Sequence, residues 1–277
     1  MAAELVLVAT PLGNLADLTP RALAYLRDAD VIYCEDTRHS RTLFSAHDIP
    51  TGNRLRSLHE HNERERTAEV IAAVRDGQCV ALISDAGTPG ISDPGAAVAA
   101  AVAAAGLRVT TAPGPSAVIG ALSVSGLPMD RFVMDGFVPR KAGERAARFE
   151  EWSREPRTIV SYESPQRLGA TLAELATREP NRRAAVIREL TKLHEDVWRG
   201  TVSELSHRAN SQEVRGEIVL VLEGADSLPP ASDEQILAAL RLALLEGMSV
   251  RDAAAHVASG LNVAHRRAYE LALTLRT

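Results

Sequence analysis

Ser84-Asp85-Ala86-Gly87-Thr88-Pro89-Gly90-Ile91-Ser92-Asp93-Pro94-Gly95 follows directly on the apolar run 79–83. A run of that length bounded by glycine and proline reads as a buried strand. The twelve residues after it therefore form a loop at a strand's carboxyl end, where open parallel sheets bind their ligands. Three glycines and two prolines let the loop backbone approach a ligand closely. Asp85 can accept hydrogen bonds from an amine or a sugar hydroxyl. Asp93-Pro94 reads as a helix cap followed by proline at the first helical position, opening the alanine-rich run 96–105.

Two further loops have the same character. Pro11-Leu12-Gly13-Asn14-Leu15 follows the strand-like run 5–9, and Ala112-Pro113-Gly114-Pro115-Ser116-Ala117 follows the strand at 108–112. The first is neither G-x-G-x-x-G nor a phosphate-binding P-loop, so a dinucleotide or ATP phosphate site is not expected. Three small-residue loops at three strand ends suit a flat, polar cofactor. Thr19-Pro20 opens a helix to about Arg27, residues 31–34 form a strand, and residues 63–76 have helical periodicity ending at Gly77. The alternation predicts an α/β fold with a mostly parallel sheet. Gly126-Leu127-Pro128 breaks it and marks a domain boundary. Beyond it, 132–137, 158–162, 184–188 and 217–222 are strand candidates, and Ser164-Pro165 opens a helix.

Residues 224–230 read as a linker. Ser232-x-x-Gln235 is a capping box for a helix through Leu245. Ser249-x-x-Asp252 opens another helix ending at Gly260, and a last one runs from about Ala264 to Leu275. The expected organisation is an N-terminal α/β domain over 1–126, a second α/β domain over 127–226 and a helical appendix over 231–277. The appendix resembles a helix-turn-helix, with His265, Arg266 and Arg267 opening its last helix; a plain packed helical hairpin is the alternative.

Of 277 residues, 45% are hydrophobic and 24% charged, as in a folded globular protein. Net charge is −5, and the whole acidic excess lies in residues 1–130, with 10 basic and 15 acidic side chains. No part is basic enough to bind nucleic acid by bulk charge, so any RNA must meet a local patch. Aromatics, at 4%, offer no base-stacking platform. Cys34 and Cys79 form no disulfide framework. The N-terminus lacks a signal-peptide pattern, and the longest apolar run is too short to span a membrane, so a cytoplasmic protein is expected.

Three titratable clusters stand out: Glu35-Asp36-Thr37-Arg38-His39, His59-Glu60-His61-Asn62-Glu63 and Leu190-Thr191-Lys192-Leu193-His194-Glu195. Two histidines two apart with no third ligand do not make a metal site, and no metal is expected. The second cluster can supply a general base or an RNA-contacting edge, or be a solvated charged segment. Candidate bases or orienting groups are Glu35, His39, His59, His61 and Lys192. Arg38, Arg140, Lys141 and Arg145 are candidates for phosphate contact, or are ordinary surface charge.

Taken together, these stretches resemble the tetrapyrrole (corrin/porphyrin) methylase superfamily, and within it the branch acting on small-subunit ribosomal RNA. The loop 84–95 carries the resemblance most strongly. T-P-L-G-N-L-A-D from Thr10, E-D-T-R-H-S from Glu35, H-E-H-N-E from His59 and A-P-G-P-S-A from Ala112 extend it. G-L-P-M-D-R-F from Gly126, Y-E-S-P from Tyr162, R-E-L-T-K from Arg188 and G-E-I-V-L-V-L-E-G from Gly216 complete it. Gln166 stands where the family usually has histidine, so no acid–base work is expected there.

The resemblance implies a two-domain α/β fold with S-adenosylmethionine in the cleft between domains, usually in a homodimer. It implies 2′-O-methylation of a cytidine ribose in the decoding region of 16S rRNA, with naked RNA or the small ribosomal subunit as partner. By position in the motifs, Leu12, Gly13, Asp85, Gly87, Thr88, Ile91, Ser92, Ser116, Ala117 and Gly216 would surround the cofactor. The alternative within the same fold is a C-methyltransferase of a tetrapyrrole precursor. Such enzymes usually carry G-x-G-x-G-D where this chain has Pro11-Leu12-Gly13-Asn14.

Overall fold

The computed structural model describes residues 2–59, 61–225, 231–261 and 263–275. Residues 2–225 form one compact unit, and the C-terminal helices form another. In the first unit, β1 (Glu4–Val8), β2 (Val31–Cys34), β3 (Leu55–Ser57), β4 (Cys79–Leu82) and β5 (Val109–Ala112) make a parallel sheet of order β3-β2-β4-β1-β5. Its central strands are continuous apolar runs because both faces are buried. Val6, Val8, Ile32 and Ala81 pack with Leu26 of α1 (Pro20–Asp28) and Phe44 of α2 (Thr37–Ala46). The alternate residues Leu5, Tyr33, Val80 and Leu82 pack with Val70 and Val74 of α3 (Glu63–Arg75) and Val98 and Val102 of α4 (Ala96–Ala104).

The second sheet has the order β6-β7-β10-β8-β9, from β6 (Phe132–Phe137), β7 (Thr158–Glu163), β8 (Arg183–Arg188), β9 (Asp196–Thr201) and β10 (Ile218–Leu222). Only β6 and β7 pair in parallel there; the other pairings are antiparallel, so the mostly parallel arrangement expected from the sequence holds for the first sheet alone. One face packs on Phe149 and Trp152 of α6 (Ala142–Trp152), Leu168 and Leu172 of α7 (Pro165–Ala176), and Val202 and Leu205 of α8 (Val202–Ser211). The other face, with Val160, Ala185, Ile187, Val219 and Val221, is covered by Val118, Ala121 and Leu122 of α5 (Ala117–Ser125). The domains expected over 1–126 and 127–226 are thus two sheets of one compact unit, and α5, assigned to the first, lies on the second.

One local reading needs correction. Asp93 does not cap α4: the helix begins at Ala96 after Gly95, whose φ is +126° and whose N–H donates to Glu63 Oε1 at 2.9 Å. The titratable segment 35–39 runs into α2. Asp36 caps α2 by accepting the Arg38 N–H at 2.7 Å.

In the C-terminal unit, α9 (Asp233–Leu245), α10 (Val250–Gly260) and α11 (His265–Thr274) enclose Ile236, Leu240, Ala254, Val257 and Ala268. Ser232 and Gln235 form both halves of the expected capping box. Arg267 pairs with Asp233 at 2.6 Å and Arg266 with Glu270 at 2.8 Å, so both arginines of the helix-turn-helix reading are engaged internally. Of the expected linker 224–230, residues 226–230 lie outside the described residues. No described helix is long and apolar enough to cross a membrane.

Gly95 tests how tightly the signature loop is built. A Cβ there would meet Leu82 Cδ2 at 2.8 Å and would sit at a φ that L-residues rarely adopt. Gly95→Ala is expected to destabilise the protein by roughly 1–3 kcal/mol, read as a lowered thermal midpoint. A midpoint equal to wild type would contradict this packing.

Candidate active site

The three small-residue loops leave β1, β4 and β5 on the same edge of the first sheet. Thr10 and Gly87 exchange backbone hydrogen bonds of 2.9 and 3.0 Å, and Thr10 Oγ1 donates to the Ser84 carbonyl. Thr88 Oγ1 donates to the Pro115 carbonyl at 3.1 Å. Three separate turns become one wall.

That wall and the second sheet enclose a cavity of about 330 Å³. Leu12, Gly87, Thr88, Ile91, Ser92, Ser116, Ala117 and Gly216, all assigned to the cofactor by motif position, line it. Tyr162, Glu163, Ser164, Glu217 and Asp93 also line it. Tyr162 to Pro165 form the Y-E-S-P motif, to which the sequence alone assigns no role, and Asp93 resembles a helix cap in the sequence. No Lys, Arg or His lines this cavity among the described residues. Its three carboxylates differ. Glu163 pairs with Arg167 and accepts from Thr171 Oγ1 at 2.5 Å. Glu217 accepts from Lys192 Nζ at 3.1 Å. Asp93 has a hydrogen bond with Ser84 and no ion-pair partner among the described residues. Burial and the nearby Glu35 push its carboxyl up to about 6, with Asp85 adding to the shift and the Ser84 bond opposing it.

A second cavity of about 480 Å³ adjoins the first at Leu12, Ala86 and Glu217. It is bordered by Gly13, His39, Asp85 and Lys192. Gly13 and Asp85, assigned to the cofactor, therefore face the second cavity; Asp85 Oδ1 accepts the Asp36 N–H at 3.2 Å. Lys192 spans the site. Its aliphatic stem covers Gly13, where a Cβ would come within 2.4 Å of Lys192 Cγ. Its ammonium lies 2.9 Å from Glu189 Oε1 and 3.1 Å from Glu217 Oε2. Burial alone would lower its pKa, but the two carboxylates outweigh it and the net shift is upward. Lys192 is therefore a fixed cation, and the reading of it as a base is corrected.

The remaining candidates separate. His39 is exposed and borders the second cavity. Glu35, His59 and His61 border neither cavity. Glu35 titrates high through burial and the Asp85 charge, eased by His59. His59 Nδ1 is buried without a hydrogen-bond partner among the described residues, and the His61 ring lies 6.0 Å from the His59 ring. Arg38 and Arg140 are exposed, and Lys141 reaches only the exposed Glu144. Arg145 is committed to Glu174 at 2.7 Å and to the Arg140 carbonyl, which removes it as a phosphate contact.

Residues 4–206 match the family model for tetrapyrrole (corrin/porphyrin) methylases. The chain belongs to that family. It is 42% identical over 274 residues to the ribosomal RNA small subunit methyltransferase I of Synechocystis sp., covering 98% of each chain. It is 47% identical over 233 residues to the protein of that name from Neisseria meningitidis serogroup B, covering 83% of this chain and 77% of the other. Among solved structures, uroporphyrin-III C-methyltransferase from Thermus thermophilus, complexed with S-adenosylhomocysteine, superposes with a TM-score of 0.54 at 18% identity, covering 79% of this chain and 96% of that one. The two-sheet fold is thus the family's fold.

Removing the Lys192 charge tests its place as a strut. Glu189 titrates low, chiefly because it accepts the Glu217 N–H and also because it faces Lys192, while burial opposes the shift. A lowered carboxylate stabilises the fold above its unfolded-state pKa, and that stability is lost as pH falls through the folded-state value. Lys192→Met is expected to destabilise by about 1–2 kcal/mol at pH 7. The gap from wild type should narrow on acidification below about pH 4. A pH-independent gap in urea unfolding would contradict the ion-pair account.

Proposed function

We propose that the protein is an S-adenosylmethionine-dependent methyltransferase of small-subunit ribosomal RNA that methylates the 2′-oxygen of a cytidine ribose in the decoding region of 16S rRNA. The observation that carries this is the pair of adjoining cavities: one lined by small-residue loops, apolar side chains and carboxylates, the other opening past His39, Asp85 and Lys192. The first suits a cofactor with positive charge, since it offers carboxylates and no basic side chain. When bound, S-adenosylmethionine supplies a methyl group on a positively charged sulfur. Gly87, Thr88, Ser116, Ala117 and Gly216 would hold it there. The names of the relatives point to the RNA.

The chain's own part is positioning and proton removal. The second cavity receives the ribose, with Asp85 accepting from a sugar hydroxyl and the Lys192 ammonium facing its oxygens. An imidazole nitrogen of His39 would take the 2′-hydroxyl proton, leaving that oxygen free to receive the methyl group that bound S-adenosylmethionine would supply. The exposed Arg38, Arg140 and Lys141 would contact phosphates of the RNA. The enzyme works in the cytoplasm, as a homodimer, which its family resemblance implies.

Transfer of labelled methyl to small subunits lacking ribose methylation, with naked 16S rRNA and tetrapyrrole precursors in parallel, is expected to place label in one cytidine ribose. Label only in a tetrapyrrole, or on a base, would refute the reading. His39→Ala should keep cofactor affinity and lose roughly 100-fold or more in turnover; unchanged turnover would exclude His39 as the base. Arg38→Ala should reduce the slope of log affinity for RNA against log salt by about 1, whereas an unaltered slope would remove Arg38 from the phosphate contacts.

A further inference from the structure

Beyond its hydrogen bond with Ser84, Asp93 has no structural task that its position explains. It does not cap α4, and it forms no ion pair among the described residues, yet its carboxyl is held part-buried in the first cavity. Ser92 beside it takes a φ of +62°, a strained value for a residue with a side chain. Its charged surroundings come from several elements. Glu35, at the end of β2, and Asp85, in the same loop, both act on it as negative charges. Tyr162, on the second sheet, has its phenol pushed up to about 12 by burial, by Asp93 and by Glu217. The other lining carboxylates are already neutralised, Glu163 by Arg167 and Glu217 by Lys192.

We propose that Asp93 is a specificity-determining residue whose carboxylate favours the positively charged sulfur of S-adenosylmethionine over the neutral sulfur of the product S-adenosylhomocysteine. The inference rests on the cofactor assignment above and adds which charge in the site reads the methylation state. The two ligands share the adenosine and the amino-acid groups and differ in charge only at sulfur. The methyl must face the acceptor cavity, so the sulfur lies on that side of the first cavity. Asp93 lines the first cavity together with Leu12, Ala86 and Glu217, the three residues that border the acceptor cavity as well. An unpaired carboxylate in a part-buried site acts more strongly on a cation than one in open water. Transfer leaves the bonding electron pair on sulfur and abolishes the charge, so the product loses Asp93 as a partner and leaves more readily.

The test is calorimetric binding of both ligands to the full chain. In Asp93→Asn, which keeps a hydrogen-bonding group for Ser84, S-adenosylmethionine affinity is expected to fall about tenfold while S-adenosylhomocysteine affinity changes less than about twofold. Equal losses for both ligands, or no loss for either, would overturn the proposal. Wild type supplies a check that needs no variant. Because the Asp93 carboxyl titrates at about 6, the preference for S-adenosylmethionine should be full above that pH and decline as pH falls through it. A flat preference in wild type, or a pH slope that persists in Asp93→Asn, would overturn it as well. Binding of neither ligand to wild type would refute the cofactor assignment and this inference together; binding without an Asp93-dependent difference would refute the inference alone.

Discussion

The paired backbone hydrogen bonds between Thr10 and Gly87 turn three loops into a site. β1 and β4 are neighbours in the sheet, so their following loops emerge side by side. Without a tie beyond the strand ends, each would be a separate mobile turn. The Thr10–Gly87 pair continues the sheet's hydrogen bonding past its edge, and the Thr88–Pro115 bond brings in the loop after β5. Backbone groups then line the first cavity at fixed positions. Such preorganisation matters in methyl transfer, where alignment of donor and acceptor carries much of the rate.

Lys192 supplies the second constraint, between the halves of the compact unit. Its stem lies on Gly13 from the first sheet's loops, and its ammonium joins Glu189 and Glu217 from the second sheet's. Lys192 and Glu189 are part-buried, where an ion pair acts more strongly than in open water. Glu163 and Glu217 have cationic partners; Asp93 has a hydrogen bond with Ser84 and no ion pair among the described residues. Glu189 and Thr191 both adopt positive φ in the turn that delivers Lys192, a backbone cost sustained where the side chain must reach the opposite loop.

Much of this was legible in the sequence where a single local rule decides. In the first sheet β2, β4 and, after Glu4, β1 are continuous apolar runs, and Thr19-Pro20 and Ser232-x-x-Gln235 mark helix starts by chemistry that needs no tertiary partner. Strands β3 and β9 were not legible. Leu55–Ser57 is only three residues, and Asp196–Thr201 alternates weakly around Trp198. The capping box of Thr201 and Glu204 was present but sat in a charge-rich stretch, so α8 went unread. Within the site, eight of the ten residues assigned to the cofactor by motif line the first cavity, whereas Gly13 and Asp85 face the second. Sequence order places residues in loops but not on a loop's two sides. The demotion of Lys192 from base to strut depended on Glu189 and Glu217, partners that only the fold brings together.

The central claim is that the first cavity takes the cofactor and the second takes the acceptor ribose. A crystal structure with S-adenosylhomocysteine and a cytidine-containing oligonucleotide tests it most directly. The account predicts the nucleoside thioether against Gly87, Ser116, Ala117 and Gly216, with its sulfur towards Leu12 and Ala86 and a ribose 2′-oxygen beside His39. A cofactor seated elsewhere, or a ribose entering without meeting His39, Asp85 and Lys192, would contradict it.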